Sequence, residues 1–338
     1  MRANNKNLTL LSGIERQAFF EQPRFDDFQR SEYFAFTAEE RALALQRKGL
    51  AEQMLCMLQI GYFKAARAFF SFTFEQCQED GDFLRERYFP EQSSVPARPV
   101  RRAERLAQRQ AILRLSGYRF YAAQDQLLLA DKARQLVRRD VTSAFVMTEL
   151  MTWLDQQRIV RPGYTTFQSV ISAALTEERQ RLAGLIEAAM TDEARRALER
   201  LLAREDALSG LAAIKQDAKY FGPHMMGRER RKRTLLEPIY RVAQTILPTL
   251  DISQQNLDYY ASLAHFYTVY DLRKLQSGQS ALYLLCYAWQ RYRQFNDNLV
   301  DALRHPDGDG LANIVEYAFG EPPMIANLPS GDWSLERQ

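Results

Sequence analysis

The sequence predicts an all-α protein made of several helical units, and three observations carry that prediction. Glycine (15) and proline (12) are sparse in 338 residues, whereas Glu, Gln, Arg and Lys, which are good helix formers, supply most of the polar content. Apolar residues recur at i, i+3, i+4 and i+7 along much of the chain. Ser or Thr followed three residues later by Glu or Gln, the pattern of a capping box, precedes several of those stretches.

A chain this long exceeds what a single core organises, so two or three domains are expected. An apolar fraction of 46% with 12% aromatics excludes a disordered chain. The first seven residues are polar and open no secretory signal. The longest apolar run, residues 281–289, is nine residues, against the roughly 20 that cross a bilayer. A cytoplasmic protein without a membrane partner is expected.

The first unit is read over residues 8–90. An aromatic-rich helix containing Ile14, Phe19 and Phe20 breaks at Pro23, and Thr37 with Glu40 starts the next. Residues 50–70 carry Met54, Leu55, Leu58, Tyr62, Phe63 and Ala66 at helical spacing, which makes a core helix, with Lys64 and Arg67 at the end where cations suit the dipole. Thr73 and Gln76 start a short helix that stops near Phe89 and Pro90. Residues 91–99, with Ser93, Ser94, Pro96 and Pro99, read as a linker.

The second unit is read over residues 100–175. A helix over 101–116 ends at Gly117, another covers 122–139, and a third covers 143–157 with Phe145, Leu150, Trp153 and Leu154 inward. After a turn over 158–164, Thr165 and Gln168 form a capping box. Phe167, Val170, Ile171, Ala174 and Leu175 then make a one-sided apolar stripe. The opposite face offers Thr166, Gln168, Ser169 and Ser172. A glutamine can pair bidentately with adenine, and helix N-terminal amides with nearby arginines hold phosphates, so this helix suits either base reading in a major groove or an ordinary solvated surface.

The third region, 176–303, continues through an amphipathic stretch, a helix start at Thr191, the basic run at 228–233, a helix closed by Leu247 and Pro248, and a cap at Ser253. Two long helices over 257–274 and 280–303 follow. Their tyrosines and Trp289 predict extensive aromatic packing, in a core or at an interface.

Cys56, Cys77 and Cys286 lie far apart in apolar contexts and read as buried thiols. His224, His265 and His305 show no metal spacing, and no acid cluster, metal set or phosphate loop marks an enzyme. No catalytic residue, metal or cofactor is therefore expected. The net charge of +3 is unevenly spread: residues 90–140 carry +6, residues 215–241 carry +5, and the rest is net −8. Such segregation fits a polyanion footprint and equally two solvated helix faces.

Several motifs, in order, resemble the amino-terminal region of the Tn-three family of replicative transposases. They are Leu10-Leu11-Ser12 with Glu15-Arg16, Tyr33-Phe34 with Thr37, and Leu58-Gln59-Ile60-Gly61-Tyr62-Phe63. Arg161-Pro162-Gly163-Tyr164-Thr165 and Glu177-Glu178-Arg179-Gln180-Arg181-Leu182 follow. The likeness continues through Leu247-Pro248, Asn256 with Tyr259-Tyr260-Ala261, Tyr267, Tyr270-Asp271-Leu272-Arg273, Leu282 to Tyr287, Gln290-Arg291-Tyr292 and Asn296-Asp297-Asn298-Leu299. It implies a bacterial DNA-binding region, nucleoid-associated when bound, with tandem helix-turn-helix-like units that recognise terminal inverted repeats in DNA transposition, followed by a helical dimerisation or scaffold region. The family's RNase H-like domain with its three carboxylates is not represented, and no strand blocks suggest one.

On this reading phosphates are held by Arg101, Arg102, Arg105 and Arg109, by Arg138 and Arg139, by Arg158 and Arg161, and by Arg228, Arg230, Arg231, Lys232 and Arg233. Thr166, Gln168, Ser169 and Ser172 would read the bases, and Tyr164 and Thr165 belong to the same DNA-binding set. The partner is double-stranded DNA at transposon ends, with a homodimer or a mixed dimer with full-length transposase as a second association. The alternative is a helical interaction module, or an inactive remnant acting through mixed dimers.

The likeness stops at Leu303. In the divergent tail, 304–338, Asp307, Asp309, Gly310, Asn313 and Glu316 fall at positions 3, 5, 6, 9 and 12 of a calcium loop, but His305 stands where the first acid belongs. The stretch resembles the Asp-Gly-Asp-Gly repeats of secreted bacterial proteins, as a gene fusion or truncation would produce. A turn without an ion is favoured over a weak Ca²⁺ site at Asp307, Asp309 and Glu316.

Overall fold

The computed structural model describes residues 11–94, 99–205, 208–217 and 223–304. Among them the chain forms fifteen α-helices and divides into two compact units, Met1–Glu177 and Glu178–Gln338. The all-α prediction holds. The strand pairing among the described residues is a two-residue antiparallel ladder, β1 (Arg204–Glu205) with β2 (Leu208–Ser209), and one isolated bridge between Arg119 and Ile159.

The first unit contains α1 (Gly13–Phe20), α2 (Asp27–Tyr33), α3 (Ala38–Leu45), α4 (Leu50–Ala66), α5 (Gln78–Tyr88), α6 (Arg102–Ser116), α7 (Ala123–Arg139), α8 (Ser143–Gln156) and the start of α9 (Tyr164–Ala189). Capping decides where many of these begin. Ser12 with Glu15, Asp26 with Gln29, and Thr37 with Glu40 each exchange side-chain and backbone hydrogen bonds, which satisfies amides that the first helical turn leaves orphaned. Thr73 and Gln76 form the same box, yet the turn that follows is 3-10 over Glu75–Cys77, and α5 starts only at Gln78.

Helix α4 is the centre of this unit. Residues 54–63 are buried without interruption because α2, α3, α5 and α6 all pack on it. Burying each of its large apolar side chains contributes roughly 1.5–3 kcal/mol. Gly61 is required by that packing: a Cβ there would lie 2.2 Å from the ring of Phe34, which is itself wholly buried. The helix ends four residues short of the expected position because Arg67 adopts a left-handed conformation, φ 52°.

The sequence suggested separate units over 8–90 and 100–175, but α6 packs on both α3 and α4, and Val100, Ile112 and Leu113 share one core with Met54, Leu58 and Phe63. A buried polar tie crosses the same seam. Gln59 donates to Gln108 at 2.7 Å, and Gln108 donates in turn to the Glu52 carbonyl at 3.0 Å. A second network joins α2, α4 and α5: the Tyr62 hydroxyl donates to the buried carboxylate of Asp80 at 2.5 Å, and Arg30 donates to the same carboxylate at 2.9 Å.

The second unit holds α10 (Asp192–Leu202), α11 (Gly210–Lys215), α12 (Pro223–Ile246), α13 (Gln254–Phe266), α14 (Val269–Lys274) and α15 (Ser277–Arg304). Thr191 and Ser253 cap α10 and α13, and Leu247 with Pro248 follows α12 as a 3-10 turn. The expected single helix over 257–274 is broken at Tyr267, because Thr268 and Asp271 form a capping box that starts α14 afresh. Helices α12 and α13 pack along α15. The aromatic crowding is largely core: Tyr260, Tyr283, Tyr287 and Tyr292 are buried, and Tyr240 stacks on Tyr292 with ring centres 4.0 Å apart. Tyr270, by contrast, is exposed. The calcium-loop-like residues Asp307, Asp309 and Glu316 lie outside the described residues.

Candidate nucleic-acid interface

The apolar stripe of α9 is buried as its spacing predicts: Phe167 and Ile171 are fully enclosed, and Val170, Ala174 and Leu175 are also buried. Thr166, Gln168 and Ser172 are half-buried, and Ser169 is exposed. Thr165 does not cap the helix. Helix α9 begins one residue earlier at Tyr164, and the Thr166 amide donates to the Gly163 carbonyl at 3.0 Å. Tyr164 packs edge-on against Phe20, with Arg16 4.9 Å above its ring. Seven residues, 157–163, join α8 to α9, whereas a tight helix-turn-helix uses 3–4.

That longer connection is shaped by Arg158, which sits at φ 54° just beyond the end of α8. The Ile159 amide returns to the Leu154 carbonyl and the Arg158 amide to that of Asp155, a Schellman-type ending in which arginine replaces the usual glycine. The chain then bridges to the loop after α6, where the Arg119 amide donates to the Arg158 carbonyl and the Val160 amide to the Arg119 carbonyl.

The predicted phosphate-binding arginines do not all behave alike. On α6, Arg101 and Arg102 are exposed. Arg109 instead turns inward, donating to Gln59 at 3.1 Å and to the Phe70 carbonyl at 2.8 Å, and burial beside Arg105 lowers its pKa. It is a structural arginine, and the Nε of Arg105 is also enclosed. Arg138 and Arg139 are exposed at the end of α7, with Arg139 over the ring of Phe145.

The basic run of α12 does not form one face, because successive residues on a helix are about 100° apart. Lys232 is buried and pairs with buried Glu229 at 2.6 Å, so it serves the core and leaves the set of phosphate ligands. Arg233 is half-buried and donates to the Tyr292 hydroxyl at 3.2 Å. Arg228 and Arg231 are exposed, and Arg228 donates to Gln216 at 3.0 Å. Arg230 is half-buried.

One cation escaped sequence reasoning as a site residue. Arg67 joins Arg158 and Arg161 in the first unit, and both Arg67 and Arg158 lie over the ring of Tyr118, at 5.7 and 5.2 Å from its centre. The Tyr118 hydroxyl donates to Asp155, whose carboxylate also lies 3.4 Å from the Arg67 Nε. Burial lowers the pKa of Arg161, Asp155 opposes that shift, and Arg67 adds to it. The missed signal was local: an arginine at a helix end where the backbone requires positive φ.

Cys56, Cys77 and Cys286 are free and buried, as expected. Burial pushes the Cys56 thiol up to about 11 and Cys77 up to about 12, which removes them from thiolate chemistry near neutral pH. Among the described residues no group of three His, Cys, Asp or Glu could hold a metal ion, and no helix is long and apolar enough to cross a membrane.

No curated protein matches the chain. Residues 10–174, just under half of it and nearly the whole of the first compact unit, match the family model described as a domain of unknown function, DUF4158.

Proposed function

We propose that this chain serves as the DNA-binding portion of a transposase, recognising the terminal inverted repeats of a transposon. The observation that supports this most is the start of α9. Its apolar stripe is anchored in the core while Ser169 is exposed and Thr166, Gln168 and Ser172 are partly so, and the arginines of the preceding loop lie close by in sequence. A helix seated by its apolar stripe, with small hydroxyls and an amide on the opposite, polar side, suits base reading, and neighbouring guanidiniums suit phosphates. The ordered likeness to the Tn-three transposases supports the same reading.

Phosphate contacts on this proposal come from Arg101, Arg102, Arg138, Arg139, Arg158 and Arg161 in the first unit, and from Arg228, Arg230 and Arg231 in the second. The test is fluorescence anisotropy of the full chain on a terminal-repeat duplex and on a scrambled duplex, repeated over a salt series. Specific binding with a logarithmic salt slope of several units is expected, since each neutralised phosphate adds about 0.9. Equal affinity for both duplexes, or binding indifferent to salt, contradicts the proposal.

A further inference from the structure

Arg161, like Arg105, has an enclosed Nε without a hydrogen-bond partner, and it stands beside Arg67 and Asp155. Its guanidinium makes no hydrogen bond or ion pair among the described residues. A guanidinium carries five donors and stays protonated at any physiological pH. Leaving such a group largely withdrawn from water and unpaired is costly, so buried charges are ordinarily found with a partner. Of the charges near it, Asp155 favours the guanidinium and Arg67 repels it, and Asp155 is already engaged by Tyr118 and Arg67.

The backbone brings these arginines together at some cost. The Arg161 amide donates to the Arg67 carbonyl at 3.3 Å, which ties the end of α4 to the loop before α9. Arg67 and Arg158 both adopt left-handed conformations, which cost about 1–2 kcal/mol for a residue with a Cβ. Strain of this kind persists where the surroundings hold it for a purpose. The ring of Tyr118 supports both guanidiniums by cation–π contact, Arg158 also donating to the Tyr118 hydroxyl at 3.4 Å and Arg67 pairing with Asp155 through its Nε. Three guanidiniums against one carboxylate leave a net charge of about +2, and the cluster is open to solvent, with Arg67 and Asp155 34% and 42% exposed.

We propose that Arg67 and Arg158, seated on Tyr118, and Arg161 beside Arg67 form an oxyanion clamp that takes one phosphodiester group of the DNA backbone. This rests on the DNA-binding function proposed above and specifies its central phosphate contact. A tetrahedral phosphate offers several acceptor oxygens and matches the fork geometry of guanidiniums. It supplies the partner that Arg161 lacks, and its negative charge offsets the repulsion among the three cations. A phosphate here would lie close in sequence to the start of α9, fixing that helix in register for base contact.

The test uses the full chain with two probes: inorganic phosphate against chloride at matched ionic strength, read by thermal unfolding, and a scrambled duplex, read by anisotropy over a salt series. Wild type is expected to show a saturable upward shift in melting temperature with phosphate. Arg161→Gln and Arg158→Asn should each abolish that shift, weaken duplex binding, and flatten the salt slope by about one unit. Asn tolerates the left-handed backbone, so Arg158→Asn keeps the test meaningful if Arg161→Gln folds poorly. Duplex binding whose slope is unchanged in both variants would overturn the clamp and leave the DNA-binding function standing. A phosphate shift in a protein that binds no duplex would overturn both the assignment to DNA and the function it rests on, leaving an oxyanion site alone.

Discussion

The side-chain amide of Gln59 on α4 donates to the side-chain oxygen of Gln108 on α6, at 2.7 Å and wholly out of solvent. The two residues stand on either side of the Pro- and Ser-rich stretch that looks like an interdomain linker. Their pairing, with apolar packing around it, makes residues on both sides part of one cooperative unit.

Gln108→Ala removes a buried partner of Gln59 and of the Glu52 carbonyl together. A loss of about 1–3 kcal/mol is expected, the cost of leaving buried polar groups unmatched. Urea denaturation should show it with probes in α4 and α6 losing structure in a single transition. Two separated transitions would contradict a shared core.

Gly61→Ala places a methyl group against the ring of Phe34, which is wholly buried and would have to shift. Destabilisation of about 1–3 kcal/mol is expected from overpacking. A thermal midpoint equal to that of wild type would show that the α2–α4 contact is looser than described.

These two cases show what the sequence makes legible. Helix starts at Thr37, Thr191 and Ser253 are readable because a capping side chain acts within three residues of itself. The buried stripe of α9 is readable because its period is local. The fusion of residues 8–90 and 100–175 into one unit is not, since Gln59 and Gln108 pair across 49 positions. The same distinction explains the basic residues. Charge counts locate runs of Arg and Lys, but only the fold separates Lys232, which neutralises buried Glu229, from exposed Arg231. Arg67 is legible as a cation at a helix end, but its place beside Tyr118 and Arg158 is not, since those residues lie 51 and 91 positions away.

Lys232→Ala strands buried Glu229, leaving its carboxylate the hydrogen bond from Asn298 at 3.3 Å. Removing one member of a buried pair costs about 3–5 kcal/mol. Arg231→Ala, at an exposed position one residue before it, should leave stability within about 0.5 kcal/mol and lower the salt slope of duplex binding. Chemical denaturation beside a salt series distinguishes the two. Equal destabilisation by both would mean that the run faces one environment.

Asp125 accepts two bonds from Arg119, both at 2.6 Å, and a third from the Ala122 amide at 2.7 Å. The Arg119 guanidinium, helped by that amide, holds its carboxyl below the ordinary 3.8. A depressed folded-state value contributes stability that is present above the unfolded pKa and disappears as pH falls through the folded one. Asp125→Asn should therefore be less stable than wild type at pH 7, with the gap closing below about pH 4. A gap that is constant from pH 7 to pH 3 would contradict the ion pair.

The central claim is that the polar face at the start of α9 reads bases. The most direct measurement is the affinity ratio between a terminal-repeat duplex and the same duplex with one base pair changed in turn, for wild type and Gln168→Ala at fixed salt. Loss of about 1–3 kcal/mol of discrimination at one position, with affinity for scrambled DNA unchanged, is the predicted result. An equal fall in affinity for every duplex, with discrimination intact at each position, would contradict it.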